Sequence, residues 1–443
     1  MEEKNNTIKI NLITMIVLIV IVIVIVTGII SVILNKSKSS KENEVAEQKT
    51  SQFENKAENT TSIYTEVDTD TNTDIDFSFE FLKMENEEEN IVYSPLSIKY
   101  ALKMLSDGAN GNTKTQIDRV IGNANLTKYN NIDNVLSLAN ALYLRDVYGR
   151  FVKDDYKNTL VNKYNAEIKY DGFENANNIN KWIEDKTFGQ IKNMVQDEIV
   201  TNPDTQMLLI NALAIDMAWK DEFEAEDTNG GTFYLIDGNT INATMMHKQT
   251  KSDNISYYKD DDITALAMDL EEYEDEQMEF VAIMPNDNLS DYIENFSTND
   301  YENITDNLTL ASESNEGLNI TIPRFSFDYN LKLKQDLKNL GITDAFEPGA
   351  DFSNMADTTL CVDEALHKSN IDFSEKGVRA AAATVIVMME NAVAVSEDEP
   401  VEIKIDKPFM YFIRDKKTGE IWFVGTVYEP DSWENDSDDY QYR

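Results

Sequence analysis

Apolar and polar positions along residues 75–430 follow two different periods. Apolar residues recur at helical spacing from Leu96 to Leu105, directly after Ser94, whose hydroxyl is a typical helix cap. The same spacing predicts a helix over residues 179–195. Shorter apolar runs predict strands at residues 207–215, 279–284, 318–323, 401–405, 409–413 and 421–427. Because helices and strands do not alternate regularly, the pattern predicts an α+β fold with largely antiparallel sheets.

The longest apolar stretch, residues 12–34, lies before this region. About 20 apolar residues are enough to cross the core of a bilayer, and a cleaved signal peptide would have a shorter apolar region. We therefore predict a transmembrane anchor in contact with the lipid bilayer over residues 12–34, after an N-terminal flank of residues 1–11. Lysines lie on both sides of the stretch, so the distribution of positive charge leaves its orientation open.

Composition divides the rest of the chain into three segments. Residues 35–73 contain almost no apolar residue, which is typical of a disordered polar tether. No linker rich in proline, glycine or serine interrupts residues 74–430, so we predict one large domain there. The acidic tail, residues 431–443, is expected to be frayed.

Charge and cysteine content exclude several kinds of partner and site. The formal net charge is −42, so the folded domain would repel nucleic acid, and we expect no nucleic-acid partner. Cys361 is the only cysteine, which rules out an intramolecular disulfide and zinc or redox sites built from cysteine pairs. The abundant carboxylates are best explained as solvated surface, and we expect no metal and no cofactor.

No catalytic motif is evident. The chain has two histidines, His247 and His367, and neither lies in the H-E-x-x-H pattern of zinc proteases. The nucleophile elbow, the phosphate-binding loop and the dinucleotide fingerprint are also absent from the sequence. A Ser/His/Asp site could assemble only around one of these histidines. We therefore predict that the protein is not an enzyme.

The segment from Gly377 to Met389 combines conflicting preferences. Its four alanines favour a helix, whereas the β-branched residues that follow favour a strand. One face of a strand here would carry only uncharged residues, namely Val378, Ala380, Ala382, Thr384, Ile386 and Met388. Residues 390–400 are polar and typical of an exposed loop. On composition alone, an ordinary core strand followed by a loop is the favoured explanation of this segment.

At this segment the sequence resembles the serpin family. Residues 375–384 are similar to the serpin hinge, whose usual form is E-E-G-T-E-A-A-A-A-T. Residues 90–98 resemble the family pattern N-I-x-x-S-P-x-S-I, and residues 211–223 resemble N-A-x-x-x-x-x-x-W-x-x-x-F. Further matches lie at residues 341–346, 351–353, 366–368, 408–409 and 413–414. The resemblance covers residues 75–430. So many matches in the same order along the chain are not a coincidence.

The resemblance implies a fold of three β-sheets and eight or nine helices, with an exposed reactive-centre loop. A target protease attacks this loop, forms an acyl-enzyme and is trapped when the cleaved loop inserts into the main sheet. The hinge would be Gly377, Val378, Arg379, Ala380, Ala381, Ala382, Ala383 and Thr384. Glu375 and Arg324 would form an ion pair where the loop enters the sheet, beside the packed Trp219. Ser94, Ser97, Asn211 and His367 would form a hydrogen-bonded shutter under the opening strands.

Two positions depart from the family pattern. Val378 replaces the usual hinge threonine and Arg379 the usual glutamate. Valine is small and apolar enough to be buried, and Arg379 should face outward, so we expect insertion to be retained. The usual hinge spacing implies cleavage between Asn391 and Ala392. A loop that is longer on its far side leaves 389–390, 390–391 and 392–393 as alternative bonds.

The main functional hypothesis is a suicide inhibitor of serine or cysteine proteases. It would act as a monomer on a cell surface, with the domain outside the cell, because the target proteases would be met there. The alternative is a non-inhibitory serpin that acts as a binding or chaperone-like module. A bulky or charged residue facing inward at the hinge would favour the alternative, and the hinge has none.

Overall fold

A computed structural model describes residues 73–122, 126–274, 276–378 and 399–433. These residues belong to one structural unit, Thr71–Arg443. Within them, no helix has both the length and the apolar character needed to cross a membrane. The predicted anchor at residues 12–34, the hinge beyond Val378 and the bond between Asn391 and Ala392 lie outside the described residues.

The described residues contain nine α-helices. In chain order they are α1 (Thr73–Met84), α2 (Pro95–Gly108), α3 (Gly111–Ile121), α4 (Asp154–Tyr164), α5 (Asn177–Lys186), α6 (Asp197–Thr201), α7 (Leu289–Asn295), α8 (Thr298–Asp306) and α9 (Leu333–Asn339). The predicted cap of α2 is present, since the Ser94 side chain accepts a hydrogen bond from the Ser97 amide and Pro95 follows as the first helical residue.

The helix predicted over residues 179–195 is wrong beyond Lys186. Helix α5 ends there because Phe188 and Gly189 both adopt positive φ angles, 53° and 76°, which a helix cannot continue through. The later apolar residues Ile191 and Val195 are nevertheless buried, in the same cluster as the residues of α5. The apolar spacing therefore correctly predicted that these residues are buried, but the helix that it predicted for them is absent.

Eighteen strands lie in the described residues, and their bounds are as follows: β1 (Ile91–Tyr93), β2 (Leu136–Arg145), β3 (Glu167–Asp171), β4 (Met207–Ile215), β5 (Met217–Ala218), β6 (Asn229–Tyr234), β7 (Thr240–Thr250), β8 (Ile255–Lys259), β9 (Ile263–Asp269), β10 (Met278–Pro285), β11 (Thr309–Leu310), β12 (Leu318–Pro323), β13 (Phe325–Lys332), β14 (Leu366–Ser374), β15 (Gly377–Val378), β16 (Val401–Lys404), β17 (Phe409–Asp415) and β18 (Ile421–Val427). Each of the six strand predictions overlaps one of them.

The strands form two complete sheets and one that is divided. A seven-stranded sheet has the order β1-β18-β17-β10-β9-β8-β11, and a four-stranded sheet has the order β16-β12-β7-β6. The third consists of β3-β2-β4 and β13-β14-β15-β5, which are connected because only Asp216 separates β4 from β5. Most strand pairs are antiparallel. The pair β2–β3 and the pair β12–β16 are parallel. The predicted α+β fold with three sheets is confirmed.

Aromatic side chains fill the space between the divided sheet and the seven-stranded sheet. The Phe325 and Phe373 rings stack with their centroids 4.7 Å apart, and Phe280 and Tyr411 of the opposite sheet lie against them. All four are fully or almost fully buried, and burial of one such side chain stabilises the fold by about 1.5–3 kcal/mol. This core fixes β13 and β14 on the seven-stranded sheet.

A buried ion pair in the seven-stranded sheet gives a first prediction. Arg414 Nε donates to Glu279 Oε1 over 2.7 Å, and the Glu279 side chain is 2% exposed. Arg414→Met would leave this carboxylate buried without its cation, so urea unfolding should show a loss of about 3–5 kcal/mol. The matched control is Lys153→Met, which removes an exposed pair with Asp357. An equal effect of both variants would contradict the prediction.

Candidate functional site

The first two hinge residues already lie inside the divided sheet. Strand β15 is paired on both sides, with β14 through Phe373↔Val378 and with β5 through Val378↔Met217. Gly377 and Val378 are both buried. The chain reaches this position through a turn at residues 375–376. The resting structure therefore holds the start of the loop as a short central strand.

Gly377 is required by this arrangement for two reasons. Its φ angle is +154°, and a β-carbon here would lie 2.1 Å from the carbonyl oxygen of Met217. Any side chain would push β15 away from β5, because real β-carbons do not approach backbone atoms so closely.

We predict that Gly377→Ala releases β15 from the sheet. Hydrogen exchange of the peptide covering residues 370–378 should become faster, because the amides of β15 and its neighbours lose their partners. Gly349→Ala is the matched control, since a β-carbon there meets nothing within 4 Å. Unchanged protection of residues 370–378 in Gly377→Ala would refute this role for the glycine.

Trp219 lies directly under the hinge turn, in the region where the resemblance implied it. Its indole Nε1 donates to the Ser374 carbonyl over 2.9 Å, and its backbone amide donates to the Lys376 carbonyl over 3.0 Å. The ring packs edge-on against Phe373, with 5.2 Å between centroids. The turn is thus fixed by two hydrogen bonds from one buried residue.

The ion pair implied for Glu375 and Arg324 is not formed. Arg324 Nε instead lies 3.4 Å from Asp431 Oδ2, and this carboxylate also accepts the Ser326 amide at 3.1 Å. Asp431 is therefore better placed than Glu375 to bind the guanidinium. The acidic composition of residues 431–443 predicts a frayed tail, but this prediction is wrong for residues 431–433, which are hydrogen-bonded to the domain.

Lys376, in the turn directly before the hinge, has a partner that the family pattern does not imply. Lys376 Nζ lies 2.6 Å from Glu222 Oε2, in the segment between β5 and β6. The hydrogen bond to Glu222 raises the pKa of Lys376. Both side chains are about two-fifths exposed, so the pair contributes at most about 1 kcal/mol. It orients the turn that leads into β15.

Below β15 the divided sheet encloses an apolar cleft. Among the described residues, β4 forms its ladder with β2 and β14 forms its ladder with β13, and the two strands are not paired with each other. A cavity of about 220 Å³ lies here, lined mostly by apolar side chains of α2, α9 and the first residues of β4 and β14. Cys361 lies in its wall and is exposed. The cleft has the polarity and position that a further strand of the sheet would require.

His367 lies on β14 beside this cleft and is neutral. Its Nε2 accepts the Ser94 amide at 3.0 Å, and the Ser369 hydroxyl lies 2.9 Å from the same atom. A ring nitrogen that accepts an amide hydrogen bond carries no proton, so the proton of the neutral ring is on Nδ1. Burial lowers the pKa of His367 from 6.5 to about 4. His367 is therefore a structural acceptor at neutral pH.

A chain of amide and hydroxyl groups continues from this histidine beneath the sheet. The Ser97 hydroxyl donates to Asn211 Oδ1, and Asn211 Nδ2 donates to Asn140 Oδ1 over 2.7 Å. Asn140 Nδ2 in turn donates to the Tyr164 carbonyl over 2.9 Å. Ser94 thus contacts His367, and Ser97 contacts Asn211; the two pairs are linked because the Ser97 amide donates to the Ser94 hydroxyl. Asn140 and Ser369 also belong to this network and were not predicted from the sequence.

The described residues contain no group of three or more metal-binding side chains that could hold an ion. The second histidine, His247, lies on β7 and bonds Thr321 of β12 through Nδ1 at 3.0 Å. The arrangement around the hinge consists of backbone ladders, amides and hydroxyls. Its groups bind backbone and side chains of the sheet, and none of them forms a metal site or a catalytic pair among the described residues.

Comparison with known proteins identifies the class to which this fold and hinge belong. The family model described as "Serpin (serine protease inhibitor)" matches residues 70–430. The chain therefore belongs to the serpin family. Serpins are in general protease inhibitors and not enzymes, although some are non-inhibitory.

Individual relatives have low sequence identity to this chain but match it over most of its length. An uncharacterized serpin-like protein of Thermococcus kodakarensis is 30% identical over 372 residues, covering 79% of this chain and 83% of the relative. Human serpin B4 is 29% identical over 383 residues, covering 78% and 95%. The native state of the thermophilic serpin tengpin superposes with a TM-score of 0.68 at 26% identity, covering 82% and 96%. Thyroxine-binding globulin, solved with thyroxine, has a TM-score of 0.66 at 25% identity, covering 81% and 99%.

Proposed function

We propose that the protein is a suicide inhibitor of serine or cysteine endopeptidases. The observation that carries this proposal is the position of β15 between β14 and β5, at one end of the line along which β4 and β14 border an apolar cavity. A loop whose first two residues are already paired on both sides can continue into the cleft by adding one residue after another. The uncharged face from Val378 to Met388 suits the apolar walls, because a charged group there would cost several kcal/mol.

In the proposed reaction, the nucleophile of the protease attacks the carbonyl carbon of Asn391. The bond between Asn391 and Ala392 breaks, Ala392 leaves with a protonated amine, and Asn391 remains joined to the protease as an acyl group. The freed loop then inserts between β4 and β14 and carries the protease with it. Inhibition results if this insertion is faster than hydrolysis of the acyl group.

We further propose that residues 12–34 anchor the protein in a membrane, with the domain on the outer side. A tethered inhibitor would meet proteases at the surface at a high effective concentration. One protein molecule would trap one protease, so association between copies is not required. Protease protection of the domain in intact cells, compared with permeabilised cells, would test this orientation.

The deciding experiment mixes the full-length chain with a panel of proteases. The panel should include an asparagine-preferring cysteine protease and chymotrypsin-, subtilisin- and elastase-like enzymes, because the loop offers Asn391, Met389 and Ala392. A complex that survives denaturation, with a cut near Asn391 located by mass spectrometry, is the expected result. The control is the same protease with its nucleophile replaced, which should give no complex. Cleavage that leaves every protease active would instead favour a non-inhibitory binding module.

A further inference from the structure

Glu85, directly after α1, brings three elements of the fold together. Its Oε2 atom accepts a hydrogen bond from the Tyr329 hydroxyl of β13 over 2.6 Å. The same carboxylate shares a hydrogen bond with the side chain of Asp336, in α9. All three side chains are partly buried. The end of α1, β13 and α9 are therefore joined at one carboxylate.

A hydrogen bond between the carboxyl groups of Glu85 and Asp336 needs a proton, because ionised carboxylates only accept. Lys332 does not neutralise the pair, since it lies on the opposite face of β13 from Tyr329. The lysines of α1 and α9 are each paired with another carboxylate: Lys83 with Glu80, Lys334 with Asp363 and Lys338 with Glu347. One of the two carboxyl groups is therefore protonated.

The surroundings favour Asp336 as the protonated member of the pair. Burial, and after it the negative charge of Glu85, raises the pKa of Asp336 to about 7. Burial also raises the pKa of Glu85, but the hydrogen bond from Tyr329 opposes this rise. At neutral pH, Asp336 thus donates its proton to a Glu85 carboxylate that Tyr329 also stabilises.

The other titratable groups around the pair add no positive charge. Glu87 and Glu89, in the exposed loop after α1, add negative charge beside it. Tyr93 of β1 and Tyr329 stay uncharged, because burial raises the pKa of each above the usual value of 10. Deprotonation of Asp336 would therefore leave two carboxylates in contact, with no cation to separate them.

Helix α9, which carries Asp336, forms part of the cavity wall. It has only seven residues, so it depends on contacts with its neighbours. Leu333 and Leu337, one turn apart, are buried and line the apolar cavity beside the first residues of β4 and β14. Asp336 attaches the same helix to Glu85. The carboxyl pair therefore fixes one wall of the cavity.

We propose that Glu85 and Asp336 share one proton that fastens α9 to the end of α1, and that loss of this proton loosens α9 at the cavity wall. A detached aspartate has a pKa of about 3.9, so the attached form binds the additional proton between about pH 4 and pH 7. The attachment is strongest below about pH 4 and is lost as pH rises through about 7. The inference does not depend on inhibition of a protease, since it concerns the resting domain alone.

Hydrogen exchange of the full-length chain tests the proposal at α9. Exchange rates of the peptide covering residues 333–340, divided by those of an unstructured peptide at the same pH, give the protection of the helix. Protection should be about ten-fold lower at pH 8 than at pH 6, because these values lie one unit either side of the pKa of Asp336. Asp336→Asn keeps a donor to Glu85 that does not titrate, and should give equal protection at both pH values. The matched control is Asp363→Asn, in an exposed pair with Lys334 of the same helix, which should keep the ten-fold difference.

A second measurement keeps the test decisive if Asp336→Asn does not fold. The infrared band of a protonated carboxylic acid should be present in the wild type at pH 6 and absent at pH 8. Glu85→Gln removes the charge that favours the proton, so the band should disappear at a lower pH.

Equal protection of α9 at pH 6 and pH 8 in the wild type would overturn the proposal. The same ten-fold loss in Asp336→Asn, or the absence of the infrared band at pH 6, would overturn it as well. Neither readout involves trapping of a protease, so a failure here leaves the proposed function undamaged, and a chain that traps nothing leaves the carboxyl pair in place.

Discussion

Val378→Arg is expected to abolish the proposed trapping of protease and to make the protein a substrate. Val378 is 3% exposed between β14 and β5, and its side chain begins the uncharged face along which the proposed insertion would continue. An arginine there would have to be buried without a partner, at a cost of several kcal/mol. Insertion would then be slower than deacylation. We expect the number of inhibitor molecules consumed per trapped protease to rise at least about ten-fold, since about 1.4 kcal/mol in relative barriers corresponds to that factor.

Two variants make this prediction specific. Val378→Thr restores the residue usual in the family and should trap protease as well as the wild type does. Arg379→Glu changes charge at the next position, whose side chain we predict to face outward, and should also have little effect. Rates of loop cleavage should be similar in all forms, because the cleaved bond is distant in sequence. Efficient trapping by Val378→Arg would refute the insertion mechanism.

Acidification should destabilise the resting form through His367. Its pKa is about 6.5 in an unfolded chain and about 4 in the fold, so the unfolded state binds the additional proton between these values. The stability associated with the neutral ring is complete above pH 6.5 and is lost as pH falls towards 4, by up to about 3 kcal/mol. Protonation also removes the acceptor of the Ser94 amide. Unfolding temperatures measured from pH 4 to pH 8 would show this loss.

The wild-type profile must be compared with that of His367→Gln, because another group titrates in the same range. Burial raises the pKa of Asp336 to about 7, and the Glu85 carboxylate contributes to the shift. Asp336 therefore stabilises the fold as pH falls from 7 towards 4, the opposite direction. It is present in both proteins, so its effect cancels in the difference. A difference that does not change between pH 4 and pH 6.5 would show that His367 does not titrate as described.

Local signals in the sequence predicted the elements on which the hinge depends. The cap at Ser94 and the strand at residues 207–215 each rest on neighbouring residues, and both are confirmed. Of the predicted uncharged face, only Val378 lies in the described residues, where it is buried, and the rest stays a prediction. The end of α5 was missed because the apolar spacing continues through Ile191 and Val195, and because the positive φ angle of Phe188 has no signature in its residue type. Gly189, three residues after the last helical residue, is the local signal that indicated the end.

The contacts that sequence reasoning missed join residues far apart along the chain. Asp431 binds Arg324 across 107 positions, and Asn140 binds Asn211 across 71. Family resemblance suggested Glu375 for Arg324 because it transfers positions from relatives, and a residue beyond the matched region could not be considered. Polar residues such as Asn140 and Ser369 are common in strands and loops. Only their placement together beneath the sheet distinguishes them from solvent-facing ones.

The position of Cys361 has a practical consequence. It is the only thiol of the chain, it is exposed, and it lies in the wall of the cleft that a strand inserted between β4 and β14 would occupy. A thiol-reactive dye would therefore attach at one site, without any engineered residue. Its rate of attachment, or its fluorescence once attached, would differ between the open and the filled cleft. The unmodified sequence thus contains an attachment site for a spectroscopic reporter of the proposed insertion, which could be followed in real time during an encounter with a protease.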